Sequence, residues 1–331
     1  MKMIVKVRLG GYVAMILLLM VSGCGTTTTK SGERASDATI KGQAYPKQIT
    51  TPTTELEEHT REGTNSNLTY PSDITRWQEV TIPPESPRGA REAWFYAANC
   101  SPLEWRVFVQ DNIPSATYNK DVRKKRPKQC NFVPEAGEFH EASAFFAVDD
   151  GWLVGFNQGE FGAALYWFST DGKLSYEISN HQVVDFFSLS NGIYAIEGLA
   201  HMTMSEGSVI RISRQNAGDT WQATSVVKLP YAPYAVSIRR DGTMLITLSD
   251  SLVSVNQNSC IHTLLPRAPW GQFYPNSSII SPDGRLLYIG MRQFVGEFDL
   301  TTNTLRLLIP SRAFLNKLPK DVDERVRREY R

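Results

Sequence analysis

Short apolar segments separated by glycine turns recur along the second half of this chain. The pattern is clearest in GWLVGFNQGEFGAALYWFSTDGK, residues 151–173, where Trp152, Val154 and Phe156 occupy alternate positions. Alternation with a period of two, aromatic and β-branched residues, and an Asp-Gly turn are typical of β-hairpins. This stretch therefore predicts two antiparallel strands and a turn that begins a third.

The opening of this stretch recurs three more times. Each copy is an apolar strand, a turn that closes on glycine and a second apolar strand, with the glycines at Gly151, Gly192, Gly242 and Gly284. By subtraction, these glycines lie 41, 50 and 42 residues apart. A period of about 40 to 45 residues with four short strands per unit is typical of β-propeller blades.

The ends of the units also repeat, because SVVKLP, CIHTLLP and TLRLLIP close at Pro230, Pro266 and Pro310. The sequence thus predicts an all-β fold, a β-propeller-like array of four-stranded blades. A β-sandwich or a plain meander is the alternative. The predicted blades are residues 145–180, 182–230, 234–266 and 277–310.

The region before the first repeat is less regular. AWFYAANC and EWRVFVQD predict two strands around Cys100, either as a degenerate first blade or as half a blade that closes the ring with C-terminal strands. A basic cluster follows, and it is either a solvated loop or a patch for an acidic partner or anionic lipid. The cluster consists of Arg123, Lys124, Lys125, Arg126 and Lys128.

The start of the chain has the features of a secretory signal. Lys2, Lys6 and Arg8 precede the apolar run VAMILLLMV, which is shorter than the ~20 residues of a spanning helix. The run ends in VSGC, which resembles the lipobox of bacterial lipoproteins. That resemblance implies cleavage before Cys24 and its acylation, and Gly25 in place of Asp implies the outer membrane, facing the periplasm. An uncleaved anchor or an ordinary secreted protein is the alternative.

The composition changes after Cys24. Residues 24–70 are rich in Thr, Ser, Gly and charge, and they could not bury enough apolar surface to offset their ordering entropy. We expect a flexible tether with a reach of roughly 35 to 40 Å. The predicted organisation is a signal peptide at 1–23, a lipidated tether at 24–70, the propeller-like domain at 71–310 and a polar tail at 311–331, as a short helix or frayed.

Charge and motifs narrow the chemistry. The formal charge is +1, and removal of residues 1–23, which carry three cations and no acid, leaves −2, so nothing electrostatic favours nucleic acid as a partner. The sequence contains no HExxH, no GxSxG elbow, no P-loop and no dinucleotide-binding glycine motif. We therefore predict no catalytic residues, metal site or cofactor. His140 beside Glu141 is a surface turn or, alternatively, a metal or acid–base site.

Four cysteines remain to be assigned. If Cys24 carries lipid, Cys100, Cys130 and Cys260 are left in an oxidising compartment, with three possible pairings. We favour a Cys100–Cys130 disulfide, because it would staple the basic insertion to its own strand, with a stabilisation of roughly 3 to 4 kcal/mol. Cys260 is expected to be a buried thiol.

Aromatic residues in two connections between blades are the candidate partner-binding residues. LPYAPY and RAPWGQFYPN supply them, and inter-blade connections emerge on one face of a propeller, where aromatic rings serve as interface anchors. The alternative is that the rings plug the channel or pack between blades. The residues are Tyr231, Tyr234, Trp270, Phe273 and Tyr274.

The segment GWLVGFNQGEFGAALYWFSTDG, its flanking repeats and the closing FLNKLP resemble the immunity lipoproteins encoded beside type VI secretion phospholipase effectors, over residues 93–319. The resemblance implies a binding protein without catalysis whose partner is a secreted lipase. A lipid anchor would then hold the inhibitor at high local concentration near the membrane. The alternatives are a propeller scaffold or envelope-assembly lipoprotein, and a periplasmic propeller enzyme.

Overall fold

The structure is a computed structural model that describes residues 69–85, 89–118 and 126–330. Every helix and strand described belongs to one compact unit, Gly63–Arg331. The predicted signal peptide, most of the predicted tether and the lipidation residue Cys24 lie outside the described residues. In the part of the chain that is described, no helix combines the length and apolar character needed to cross a bilayer.

The described elements are mostly strands. The helices are α1 (Ala90–Asn99) and α2 (Lys320–Glu329), and the strands are β1 (Gln78–Val80), β2 (Trp105–Gln110), β3 (Ile113–Tyr118), β4 (Ala142–Val148), β5 (Gly151–Asn157), β6 (Ala163–Ser169), β7 (Ser175–Ser179), β8 (Val183–Leu189), β9 (Gly192–His201), β10 (Met204–Ser213), β11 (Gln222–Leu229), β12 (Pro233–Ile238), β13 (Met244–Leu248), β14 (Ser251–Val255), β15 (Ile261–Pro266), β16 (Ser277–Ile280), β17 (Leu286–Gly290), β18 (Val295–Asp299) and β19 (Thr304–Ile309).

Strands β4 to β19 form four antiparallel sheets in chain order. The first blade is β4–β7, the second β8–β11, the third β12–β15 and the fourth β16–β19. The prediction of an all-β, propeller-like array is confirmed. Each predicted repeat overlaps one of these sheets, although β4 and β12 begin three residues and one residue before the predicted starts at 145 and 234. The short strand β1 adds to β19, so the fourth sheet has five strands.

Each blade contacts the next through its first strand. β4 packs against β8, β8 against β12, and β12 against β16, while β16 also contacts the two-stranded β2–β3 hairpin. The hairpin thus occupies a fifth position beside the fourth blade, and the strand predicted for EWRVFVQD is confirmed as β2. The predicted strand AWFYAANC is wrong, because these residues belong to α1. Its alanines favour a helix, and Ala93 and Ala97, four residues apart, are buried on one helix face.

Hydrophobic cores lie between adjacent blades. Successive side chains of a strand point to opposite faces of its sheet, so a central strand serves two cores at once. In β13, Leu245 packs with Leu252 and Leu287 towards the fourth blade. Its neighbour Ile246 packs with Val209 towards the second blade, and all five residues of β13 are buried.

The strand connections lie at two ends of the array, because antiparallel strands alternate in direction. The turn end holds the first and third connections of each blade, including the Asp-Gly turns, where Gly242 and Gly284 have φ of +82° and +77°. The linker end holds the second connection of each blade and the links between blades. Its connections are residues 158–162, 180–182, 202–203, 230–232, 249–250, 267–276 and 291–294.

The segment after Pro310 belongs to the folded domain. Phe314 packs with Trp105 and Tyr70, and α2 lies against α1 with Val326 buried. The folded region therefore extends beyond the predicted boundary at residue 310.

Candidate interaction face

Several large apolar side chains at the linker end are exposed to solvent. The exposed fractions are 77% for Phe161, 92% for Met202, 54% for Met204, 37% for Tyr231 and 47% for Tyr274. Interaction sites are marked by apolar side chains that remain exposed together rather than singly. The linker end is therefore the candidate interaction face.

Hydrogen bonds hold neighbouring connections of this face together. The hydroxyls of Ser205 and Ser249 lie 2.7 Å apart, and the Ala232 amide donates to Ser205 Oγ at 3.0 Å. The Ser249 amide in turn donates to the Ala232 carbonyl at 2.8 Å. The β9–β10, β11–β12 and β13–β14 connections thus form one continuous surface.

One part of the face, which we call the tyrosine sector, consists of Tyr231, Tyr234, Tyr274 and Arg292. The Arg292 guanidinium lies 4.8 Å from the centre of the Tyr274 ring, a cation–π contact. Arg292 also pairs with Glu104, with Nη2 and Oε1 2.8 Å apart, which fixes the guanidinium in place. Burial raises the pKa of Tyr234, and the nearby Tyr274 adds to the shift.

Two of the five predicted partner-binding residues are inaccessible. Trp270 and Phe273 are fully buried, Trp270 Nε1 donates to the Leu248 carbonyl at 2.8 Å, and Phe273 stacks on Phe95 of α1 with ring centroids 5.5 Å apart. Their prediction as contact residues is wrong, because the 267–276 connection turns these rings into the core between the third and fourth blades. Partner contact by the exposed Tyr231 and Tyr274 and the half-buried Tyr234 stays a prediction.

A second part of the face, which we call the apolar tip, consists of Phe161, Met202 and Met204. His201 and Glu160 connect its two segments, with Nε2 and Oε2 2.5 Å apart. Gln182 Nε2 adds a hydrogen bond of 2.6 Å to the Gly159 carbonyl. Sequence reasoning missed the tip, although HMTM between two strands, two methionines flanking a tight turn, was a signal that could have identified it.

A polar cleft of about 250 Å³ lies at the base of the β9–β10 hairpin. Glu197, Glu206 and Lys228 line it, and Ser208 Oγ donates to Glu197 Oε1 at 2.5 Å. Glu197 is therefore already hydrogen-bonded to a neighbouring strand of the same blade.

The predicted Cys100–Cys130 disulfide is wrong, since both thiols are free. Cys100 is exposed at the end of α1, whereas Cys130 is buried in the segment that covers the first blade, in one cluster with Trp152 and Phe168. The two cysteines therefore belong to separate parts of the fold. Burial raises the pKa of the Cys130 thiol. Cys260, expected to be buried, is partly exposed.

The remaining predicted features are dispersed. Arg126 and Lys128 are described, while the other three residues of the basic cluster lie outside the described residues. His140 is exposed. Among the described residues, no group of three or more His, Cys, Asp or Glu side chains is arranged to hold a metal ion.

Comparison with known proteins gives distant structural neighbours. No protein-family model and no curated protein matches the chain. Similar solved structures include a virginiamycin B lyase from Staphylococcus aureus with quinupristin, at 16% identity and a TM-score of 0.36 over 52% of this chain and 57% of the lyase. A Xanthomonas campestris gluconolactonase has 9% identity and a TM-score of 0.37 over 54% of this chain and 60% of that one.

YCF48 bound to a D1 peptide has 11% identity and a TM-score of 0.37, and the alignment covers 73% of each chain. The chain spans little more than half the length of the lyase structures it resembles. These similarities are too low to transfer an activity or a partner.

Proposed function

We propose that this chain is a lipid-anchored binding protein of the outer membrane, facing the periplasm, that neutralises a lipase effector delivered by type VI secretion and catalyses no reaction itself. The identity of the partner rests on the resemblance carried by residues 151–172 and its flanking repeats. The membrane location rests on the lipobox-like sequence that ends at Cys24.

The tyrosine sector is the observation that supports a binding role. Tyrosine and arginine dominate the energetic centres of protein interfaces, because they combine large contact area with polar groups. Tyr274 is exposed while Arg292 holds its ring, and Glu104 holds Arg292. A contact surface that is fixed before binding loses less side-chain entropy when the partner arrives.

A pull-down from the periplasm of the producing strain tests the proposal. The purified protein is the bait, and mass spectrometry identifies what it captures. We expect one secreted lipase, bound tightly and inhibited on phospholipid substrate. Capture of a set of envelope-assembly proteins in its place would contradict the immunity role and favour a scaffold.

A matched pair of variants tests the site. Tyr274→Ala should weaken lipase binding at least about tenfold, equivalent to about 1.4 kcal/mol, as expected for a central interface anchor. Tyr330→Ala is the control, because Tyr330, directly after α2, is 59% exposed and lies outside the sector. Calorimetry measures both affinities, and an equal effect of the two variants would exclude the tyrosine sector.

A further inference from the structure

We infer that the apolar tip, formed by Phe161, Met202 and Met204, is a second contact site whose ligand is the surface of a phospholipid bilayer. This site is distinct from the tyrosine sector, and the inference does not depend on the identity of any effector.

The tip projects from its own blade. β9 and β10 have ten residues each and pair with one another up to His201 and Met204. The flanking strands stop earlier, since β8 pairs no further than Glu197 and β11 no further than Gly207. At about 3.3 Å per residue, the hairpin extends roughly 10 Å beyond the paired ends of β8 and β11. The 230–232 and 249–250 connections contact it at Ser205. Met202 lies in the turn of this hairpin, beyond Ser205, and is 92% exposed.

The three side chains suit a lipid surface chemically. Phenylalanine and methionine carry no strong hydrogen-bonding group, so they leave water without the cost of an unsatisfied donor. The His201–Glu160 contact holds the segment of Phe161 against the β9–β10 hairpin. The side chains of Phe161, Met202 and Met204 therefore lie on one connected surface. Apolar side chains of this kind bind membranes by entering the boundary between headgroups and acyl chains.

The entry point of the chain favours a bilayer as the ligand. The described part begins at residue 69, and Tyr70 packs against Trp105, Tyr118 and Phe314. Tyr118 ends β3, and Phe314 follows β19, both at the linker end. Any membrane attachment in the preceding residues is therefore connected to the same end as the tip.

Charge narrows the lipid class. The titratable side chains on the two segments of the tip are Glu160, His201 and Glu206, and Glu197 and Lys228 line the cleft with Glu206. This set carries no cluster of Lys and Arg for anionic headgroups. We therefore expect contact with zwitterionic lipid that changes little with salt concentration.

Methionine oxidation on vesicles tests the inference without an effector. The protein is residues 63–331, one compact unit with its own cores, carrying an N-terminal hexahistidine and Leu174→Met. Leu174 is 67% exposed at the turn end, so the introduced methionine is a matched reporter for Met202. Phosphatidylcholine vesicles with a little nickel-chelating lipid hold the protein by its N-terminus. Peroxide converts exposed methionines to sulfoxides, which mass spectrometry quantifies.

We expect oxidation of Met202, relative to the introduced methionine, to fall about tenfold on vesicles compared with buffer, as an equilibrium of about ten to one for the docked state requires. Phe161→Ser should restore much of the lost oxidation. Val133→Ser, which alters an exposed apolar side chain outside the tip, should leave the protection of Met202 unchanged. The buried Met244 and Met291 should stay unoxidised throughout, which reports an intact fold.

Three outcomes would overturn the inference. The oxidation ratio could be equal on vesicles and in buffer, or the introduced methionine could be the one protected. A captured partner protein could also protect Met202 without lipid while vesicles give no protection, which would assign the tip to protein contact.

Discussion

In the 267–276 connection, Trp270 and Phe273 are fully buried whereas Tyr274 is exposed, so substitutions at these positions should affect stability differently. Trp270→Ala removes a fully buried ring and leaves the Leu248 carbonyl without its indole donor, so we expect a loss of about 3 to 5 kcal/mol of unfolding free energy. Tyr274→Ala, on an exposed side chain, should cost less than about 1 kcal/mol. Urea denaturation measures both, and equal losses would contradict the assignment of Trp270 to the core.

The sequence around these residues could not decide which rings are buried. RAPWGQFYPN has no alternation, so local spacing does not separate Phe273 from Tyr274. Phe273 is covered by Phe95 of α1 and by Phe294, which come from distant parts of the chain. The Cys100–Cys130 pairing fails for a related reason: it assumes that the basic insertion folds back onto a strand at Cys100, whereas Cys100 follows a helix and Cys130 packs on the first blade.

At the scale of the elements, glycines in the first turn of each blade predict different stability losses on substitution by alanine. Gly284 has φ of +77° and open space where an alanine Cβ would lie, so Gly284→Ala should cost about 1 kcal/mol from backbone conformation alone. At Gly151 a Cβ would lie 2.0 Å from the Phe168 carbonyl oxygen of the adjacent strand. Gly151→Ala should therefore cost about 3 kcal/mol. Thermal or urea unfolding of both variants measures the difference, and the reverse order would contradict the register of β5 and β6.

Elements with a strong local pattern were predictable, and elements defined by distant pairing were not. The four blades follow from alternating strands and Asp-Gly or Asn-Gly turns, which are local signals. The aromatic residues of AWFYAANC favoured a strand, although the spacing of Ala93 and Ala97 fits the helix that forms. β1 has three residues and no hydrophobic pattern, so its pairing with β19 could not be predicted from the sequence.

For the whole molecule, aspartates in the turns between strands predict that the folding stability decreases at low pH. A hydrogen bond from the Lys173 side chain holds the pKa of Asp171 at about 2, and one from Arg285 does the same for Asp299. Hydrogen bonds also lower the pKa of Asp241 and Asp283. Unfolded aspartates titrate at about 3.9, so the folded state favours the ionised forms. Their contribution to stability is complete above about pH 4 and is lost as the pH falls towards 2.

Urea unfolding across this pH range measures the effect. The midpoint should fall as the pH is lowered from 4 to 2, and Asp299→Asn should reduce that dependence, because it removes one of the titrating groups. A midpoint that is constant with pH, or an unaltered slope in Asp299→Asn, would contradict the role of these turns.

The pairing of β1 with β19 brings positions 78 and 309 into register within one sheet. During synthesis, which starts at the N-terminus, β1 is made long before its partner strand β19. The fourth sheet is therefore completed last, by the earliest strand and the latest one together, and the entropy of closing so long a loop enters only at that step. Premature termination before residue 304 would leave β1 without its partner and the fourth blade without its last strand, so this sheet is complete only in a chain that extends to residue 309.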